Sequence, residues 1–341
     1  MMSQPTVSLI DVATYLPENR VSAEWYTQLS GDDDMRDNPM FRPPNFRHHA
    51  ADDESNVDMI QRAVGALIDR HGPAVLDDVD VLLTHSQLPD LPILGAGGEV
   101  AKRLGINPEW IIDVHNGGCA AFVLMLKLAR QLLASGAGRT ALIAVAQNAA
   151  GKIFEQEQVR KLAQASVPGD GAAVGLVTVS DSSPVLDIEC RYYGENATDM
   201  TLAADPARRW WEAGPGQGYV GFNEGKIIKV LARGNRQVPQ VVRAVCDRIG
   251  VKPVDLDLLV TNQPNRLLLR NWNEALGISP DRHRDTFQEC GNLFAVAIPV
   301  NLEAAVLDGQ IGAGDIVMMA GFAHAGDFAG AAAIQWGGSR T

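Results

Sequence analysis

The chain has 341 residues, of which 46% are hydrophobic, and a formal net charge of −12 at pH 7. This length suits two domains or one duplicated domain, and the acidic balance makes nucleic acid a poor partner. The sequence holds no apolar run of about 18 residues and begins without the basic and apolar regions of a secretory signal, so we expect no membrane association.

The first half alternates between predicted strands and helices. A strand over 6–13 is followed by a polar, proline-rich loop over 30–56, a helix over 57–69 and a buried strand over 79–83. Pro92 is predicted to open a helix that ends near Gly105, before a strand over 110–114. The segment 117–136 is helical and apolar nearly all round, which is typical of a helix at the centre of a protein.

The second half continues the same alternation. Strands are predicted over 142–146 and 185–193, a surface insertion over 205–218, and a helix over 223–249. Alternating apolar strands and helices favour parallel sheets with helices packed between them, so the fold class is α/β.

The two halves repeat one another. The stretch RLGINP around Leu104 recurs as ALGISP around Leu276, and VDVLLT before His85 recurs as DLLVT before Asn262. Extending this match places Asp113 on Asp285 and Cys119 beside Asn292. The repeat predicts two similar halves, 1–180 and 181–341, with a thiol opening the central helix of one and an amide at the matching point of the other.

Cys119 is the leading candidate for a catalytic residue. It follows a strand and two glycines and opens the buried helix, where free N–H groups and the helix dipole favour a thiolate. A thiolate in this position is suited to attack a thioester, although most free cysteines are simply small buried side chains. The four cysteines lie far apart without a CxxC pair, which favours free thiols in a cytoplasmic protein and predicts no disulfide and no metal site.

Four stretches, taken together and in order, resemble the landmarks of the β-ketoacyl-ACP synthase III family of the thiolase-like superfamily. They are DVHNGGCAAF at 113–122, GDGA at 169–172, NQPN at 262–265, and Gly291 with Asn292. The resemblance implies an internally duplicated αβαβα fold in five layers, a homodimer, and an acyl group carried on Cys119 as a thioester. The donor implied is an acyl-carrier protein or CoA, whose phosphopantetheine arm enters as substrate, with no permanently bound cofactor.

The family's Cys-His-Asn triad is matched at Cys119 and Asn292, but Asn262 replaces the histidine. An amide donates a hydrogen bond yet cannot exchange a proton near neutral pH, so oxyanion stabilisation survives while acid–base function is lost. In the family's glycine-rich loop this chain instead carries His324 and Asp327. A histidine oriented by a carboxylate can deprotonate an incoming hydroxyl or amine; the alternative is a histidine bound only to the backbone of a tight loop.

Several other residues carry alternative interpretations. Arg208, Trp210 and Trp211 either stack a cofactor's adenine or line the mouth of the site, or form an exposed insertion. We expect His85 and His115 to pack or cap, and Asp170 to be structural. Basic side chains recur at helical spacing, which suits an acidic carrier protein or a solvated helix face; they are Lys226, Lys229, Arg233, Arg236, Arg266 and Arg270.

The departures from the family resemble the ketosynthase III-like acyltransferases of natural-product pathways. They imply transfer of an acyl group through Cys119 to a hydroxyl, an amine or a second carrier in a secondary-metabolite pathway. Two alternatives stay open: decarboxylative condensation with a malonyl extender, and a catalytically silent partner subunit.

Overall fold

A computed structural model describes residues 5–29, 38–90, 95–157, 159–197, 199–203, 219–222 and 227–338. The strands in chain order are β1 (Val7–Tyr15), β2 (Asn19–Ser22), β3 (Phe46–His49), β4 (Val81–Ser86), β5 (Trp110–Asp113), β6 (Thr140–Gln147), β7 (Gly171–Val179), β8 (Val185–Tyr192), β9 (Met200–Ala203), β10 (Tyr219–Phe222), β11 (Leu258–Thr261), β12 (His283–Arg284), β13 (Ile316–Ala323) and β14 (Phe328–Gln335). The helices are α1 (Ala23–Leu29), α2 (Asn56–His71), α3 (Gly97–Leu104), α4 (Ala121–Ala134), α5 (Ala149–Lys152), α6 (Ile227–Ile249), α7 (Arg266–Leu276), α8 (Phe287–Cys290) and α9 (Ala297–Leu307).

Two five-stranded sheets share one topology. The first has the order β1-β7-β6-β4-β5 and the second β8-β14-β13-β11-β12. In each sheet the first two pairings are antiparallel and the last two are parallel. The identical order and direction confirm that the fold is an internal duplication.

The helices form three layers around these sheets. The apolar helices α4 and α9 lie between the two sheets, where Phe122 and Met125 of α4 share one core with Ile298 and Leu302 of α9 and with strands of both sheets. Helices α2 and α3 cover the outer face of the first sheet, and α6 and α7 cover that of the second. The five-layer αβαβα prediction is confirmed, because only helices apolar all round can be buried on every side in the middle layer.

The predicted match between the halves is wrong at the nucleophile. Cys119 is the middle residue of a 3-10 turn before α4 (Gly118–Ala120), and Ala295 is the middle residue of the same turn before α9 (Phe294–Val296). The preceding residues even share a left-handed backbone, with φ 46° at Gly118 and 51° at Phe294. The four-residue helix α8 is an extra segment of the second half and displaces the match. Asn292 therefore lies before the turn, and the structural equivalent of the thiol is an alanine.

Smaller differences concern the loops. The predicted loop over 30–56 contains β3, which pairs with β2, and a short 3-10 turn at Pro39–Phe41. Helix α3 begins at Gly97 instead of at Pro92, and α6 begins at Ile227; residues 91–94 and 223–226 lie outside the described part of the chain. Among the described helices, none combines the length and apolar character that crossing a bilayer requires.

Candidate active site

The Cys119 thiol is buried, with 8% of the residue exposed. Desolvation raises the pKa of the Cys119 thiol to about 12, although the backbone N–H groups of His324 and of Cys119 itself act in the opposite direction. The prediction of a thiolate held by the helix dipole is therefore wrong for the resting site, because α4 proper begins two residues later and burial dominates. The resting sulfur is a neutral thiol that needs a base.

Gly118 brings His324 against the nucleophile turn. An ideal Cβ on Gly118 would lie 2.7 Å from His324 Nε2 and 2.8 Å from the Cβ of Ala323. With a left-handed backbone as well, glycine is the residue that fits here. The imidazole edge carrying Nε2 thus packs directly beside the residue that precedes Cys119.

His324 and Asp327 form a pair across the β13–β14 turn. Nδ1 of His324 lies 2.9 Å from Oδ1 and 3.2 Å from Oδ2 of Asp327. Because a carboxylate only accepts, Nδ1 carries the hydrogen and Nε2 presents its lone pair toward the nucleophile turn. His324 itself adopts φ 48°, a left-handed conformation that is strained for a residue with a side chain.

The side chain of Asn262 is fixed by the backbone of Phe322. Its Nδ2 donates to the Phe322 carbonyl at 3.0 Å, and its Oδ1 accepts from the Phe322 N–H at 3.4 Å. Asn262 is fully buried at the end of β11 and lines the cavity beside Cys119. One of its two N–H groups is thereby used, so at most one can serve as a donor to substrate.

Asn292 is oriented by its own loop. Its Oδ1 accepts from the Phe294 N–H at 3.0 Å, and its backbone binds Val167 and Gly169. With Oδ1 engaged, Nδ2 is the group that Asn292 offers to the cavity it lines.

A cavity of about 110 Å³ joins these residues. Cys119, Asn262, Asn292 and His324 all line it, and Asp327 lies behind His324. The remaining wall is mostly apolar, with Met40, Phe41, Phe154, Met200, Phe294 and Leu268 among its members. None of these wall residues was predicted from the sequence, because an apolar side chain carries no local signal of lining a cavity; Phe294 also has a positive φ, which only the structure reveals.

Of the other candidates within the described residues, none is among those that line this cavity. Arg208, Trp210 and Trp211 fall outside the described residues. His85 is buried and binds the Val114 carbonyl through Nδ1 at 2.7 Å, and burial lowers its pKa to about 4, whereas His115 is exposed. Asp170 accepts backbone N–H bonds from Ala50, Ala150 and Gly151, a structural role.

The cysteines and possible metal ligands of the described residues form no linked groups. All four cysteines are free thiols. No cluster of three or more histidine, cysteine or carboxylate side chains that could hold a metal occurs there.

Comparison with known proteins identifies relatives of this chain. Residues 112–194 match the family described as 3-oxoacyl-[acyl-carrier-protein] synthase III, and residues 246–336 match its C-terminal part. A β-ketoacyl-[acyl-carrier-protein] synthase III from Thermosynechococcus vestitus is 30% identical over 85% of this chain and 86% of its own length.

Solved structures show the same fold. A 3-oxoacyl-(acyl carrier protein) synthase III from Pseudomonas aeruginosa superposes with a TM-score of 0.82 and 22% identity over 98% of this chain and all of its own. The priming β-ketosynthase of the R1128 polyketide pathway reaches a TM-score of 0.84 at 18% identity over 100% and 99% of the two chains. From its duplicated fold, its motifs and this similarity, the chain belongs to the 3-oxoacyl-ACP synthase III family of the thiolase-like superfamily.

Proposed function

We propose that this protein is an acyltransferase that moves an acyl group from a thioester donor, through acyl-Cys119, to a hydroxyl, an amine or a second carrier in a secondary-metabolite pathway. The observation that carries the proposal is the His324–Asp327 pair packed against Gly118, next to the nucleophile. Such a pair supplies the base that a transfer to oxygen or nitrogen requires.

The loading step starts from the neutral thiol. His324 Nε2 takes the Cys119 proton while the sulfur attacks the donor's carbonyl carbon, and Asp327 stabilises the resulting imidazolium. The oxyanion is held by the backbone N–H groups of Cys119 and His324, which face the sulfur. When the intermediate collapses, the donor's C–S bond breaks and the departing thiolate takes the proton from His324.

The transfer step uses the same groups in reverse. The acceptor gives its proton to His324 Nε2 and bonds to the acyl carbon, and the Cys119 C–S bond then breaks. Cys119 recovers the proton from His324, so the site returns to its starting state with no other reactant needed.

Asn262 supports transfer over condensation. Decarboxylation leaves an enolate whose charge needs donors, and the Asn262 side chain already spends one N–H and its oxygen on Phe322. The alternative, condensation with a malonyl extender, is favoured by the names of the relatives and by the Asn292 Nδ2 group at the cavity. A silent subunit is disfavoured by the complete set of Cys119, His324 and Asp327.

The acyl group that fits is short and apolar. The cavity is smaller than the roughly 150 Å³ that holds a benzene molecule, and no lysine or arginine is among its lining residues in the described chain. An acyl group of a few carbons without a charge fits these limits.

For the donor we propose an acyl-carrier protein or CoA, as in the names of the relatives. A surface pocket of about 450 Å³ lies on the other side of α7 and contains Arg42, Arg266 and Arg270. Arg266 is paired with Asp285, so its contribution to binding an acidic carrier is reduced. Lys229 and Arg236 are also exposed, whereas Lys226 lies outside the described residues.

The proposal includes a homodimer and the division into halves at residue 180. Strand β5 is the edge of the first sheet, and its Trp110 and Ile111 are 40% and 43% exposed. An unpaired apolar edge of this kind is suited to pairing with a second copy.

Intact-mass measurement with a panel of acyl thioesters tests the function. We expect one acyl adduct on the native protein and none on Cys119→Ala. His324→Ala should load slowly, to completion only with excess donor, and should also pass the group to an alcohol or amine about 100-fold more slowly than the native protein. Release of CO₂ from a malonyl thioester, without ester formation, would instead support condensation.

A further inference from the structure

The turn that carries His324 and Asp327 is held from outside by hydrogen bonds to its carbonyl groups. The Ala325 carbonyl accepts from Arg233 at 3.0 Å. The Gly326 carbonyl accepts from both Asn196 and Gln237 at 2.8 Å. These three side chains come from α6 and from the segment after β8, so two distant parts of the chain fix one short turn.

Arg233 is the charged member of this group. Its side chain is 15% exposed, and its guanidinium pairs with the buried carboxylate of Asp199 at 2.6 Å. Gly326 adopts φ 95°, and an ideal Cβ there would lie 3.0 Å from both Cβ and Cδ of Arg233. The aliphatic part of the Arg233 side chain thus packs against the turn, and its guanidinium hydrogen-bonds to the turn. Arg233 therefore does not belong to the exposed basic face that the sequence predicts for α6.

The charges are divided between two pairs. Asp199 balances Arg233, and Asp327 is the partner of His324. The turn also keeps His324 in its left-handed conformation, which is strained and persists only where neighbouring structure enforces it. The bond from Arg233 to the next carbonyl in the chain, that of Ala325, is a direct restraint on this backbone.

We propose that Arg233 is a positioning residue: it holds the 323–327 turn so that His324 keeps its hydrogen bond to Asp327 and presents Nε2 at the nucleophile turn. Without it, residue 324 is free to relax toward negative φ, which swings the imidazole away from Gly118 and weakens the bond to Asp327. The inference rests on the proposed function for its kinetic consequence, but its structural consequence is independent of that function.

The test compares Arg233→Met, Arg233→Lys and a matched control, Arg243→Met. Arg243 lies on the same helix and also donates its guanidinium to a carbonyl, that of Ala275, far from the turn. The readouts are the tautomer of His324 by NMR of ¹⁵N-histidine-labelled protein, loading from an acyl-CoA, and the pH profile of acyl-Cys119 breakdown with water and with ethanol as acceptors.

In Arg233→Met we expect His324 to become a mixture of tautomers. Because His324 is the proposed base in both steps, loading and breakdown of acyl-Cys119 should each slow about ten-fold, and breakdown should lose its dependence on a basic group. Arg233→Lys retains a cation beside Asp199 and should restore folding stability fully and the breakdown rate in part. Arg243→Met should match the native protein in all three readouts.

An unchanged His324 tautomer in both Arg233 variants would overturn the proposal. A lower melting temperature in Arg233→Lys, together with slower loading and breakdown but an unchanged pH profile of breakdown, would show a general structural role and would also overturn it. If acyl-Cys119 of the His324→Ala variant breaks down at the native rate, the proposed base function of His324 fails. The tautomer measurement still decides the positioning role of Arg233 in that case.

Discussion

Replacing Gly118 with alanine tests the central contact of the site. The new Cβ would lie 2.7 Å from His324 Nε2, 2.8 Å from His324 Cε1 and 2.8 Å from the Ala323 Cβ. Carbon atoms do not approach this closely, so the imidazole, the turn or the nucleophile has to move. Two of the three close atoms belong to His324, which makes the imidazole the main obstacle.

The cost has two parts. A left-handed backbone costs an alanine about 1–2 kcal/mol, and overpacking a filled site costs about 1–3 kcal/mol, so we expect Gly118→Ala to lower the free energy of unfolding by about 2–5 kcal/mol. Phe294 adopts nearly the same φ at the equivalent turn. The backbone is therefore accessible to a residue with a side chain, and crowding by His324 decides the difference.

Urea unfolding of a double-mutant cycle measures this directly. In the His324→Ala background the cost of Gly118→Ala should fall by about 1 kcal/mol or more, because the imidazole is gone. Gly65→Ala is the control, since a Cβ there meets nothing within 4 Å and should stabilise helix α2 by about 0.5–1 kcal/mol. Acyl loading should drop in Gly118→Ala. A cost below about 0.5 kcal/mol with native loading would refute the packing of His324 on this turn.

Two further predictions concern other buried groups. Asn262→His loses the two hydrogen bonds to Phe322 and should lower the free energy of unfolding by about 1–3 kcal/mol. Its release of CO₂ from a malonyl thioester should rise above that of the native protein. No rise would contradict the role given to Asn262. Burial lowers the pKa of His283 from 6.5 to about 4. Between these pH values the unfolded chain therefore binds more protons than the native protein. His283 contributes stability that is full above about pH 6.5 and is lost by about 1.4 kcal/mol per pH unit as the pH falls toward 4. Between pH 7.5 and pH 5, urea unfolding should therefore show a smaller loss of unfolding free energy in His283→Gln than in the native protein. Burial raises the pKa of Asp170 to about 7, which changes stability in the opposite direction in both proteins, so the difference between the two proteins is the quantity to measure. Equal losses would contradict the prediction.

The sequence was sufficient for the layers and for most of the site. Apolar periodicity all round α4 predicts a central helix, and the motif order brings Cys119, Asn262, Asn292 and His324 to one cavity. The repeat was correct for the sheets and wrong at Ala295, because a single inserted turn of helix changes register without changing topology.

Other features depend on three-dimensional surroundings that no local pattern contains. The protonation of Cys119 is set by burial, which opposes the helix-end effect read from the sequence. Arg233 has the same spacing as its exposed neighbours on α6, and only the position of the 323–327 turn gives it buried partners. Strand β3 was missed because its Arg47, His48 and His49 are polar and yet mostly buried.

The two matching turns at the heads of the central helices have diverged in what they contribute. The turn before α4 carries Cys119. The turn before α9 has Ala295 at the equivalent position, and the preceding Phe294 lines the cavity that contains Cys119. In the proposed mechanism Cys119 holds the acyl group, and the side chain of Phe294 limits the space beside it. Changes at residue 294 therefore offer a route to altered acyl-chain selection that leaves the reacting atoms untouched.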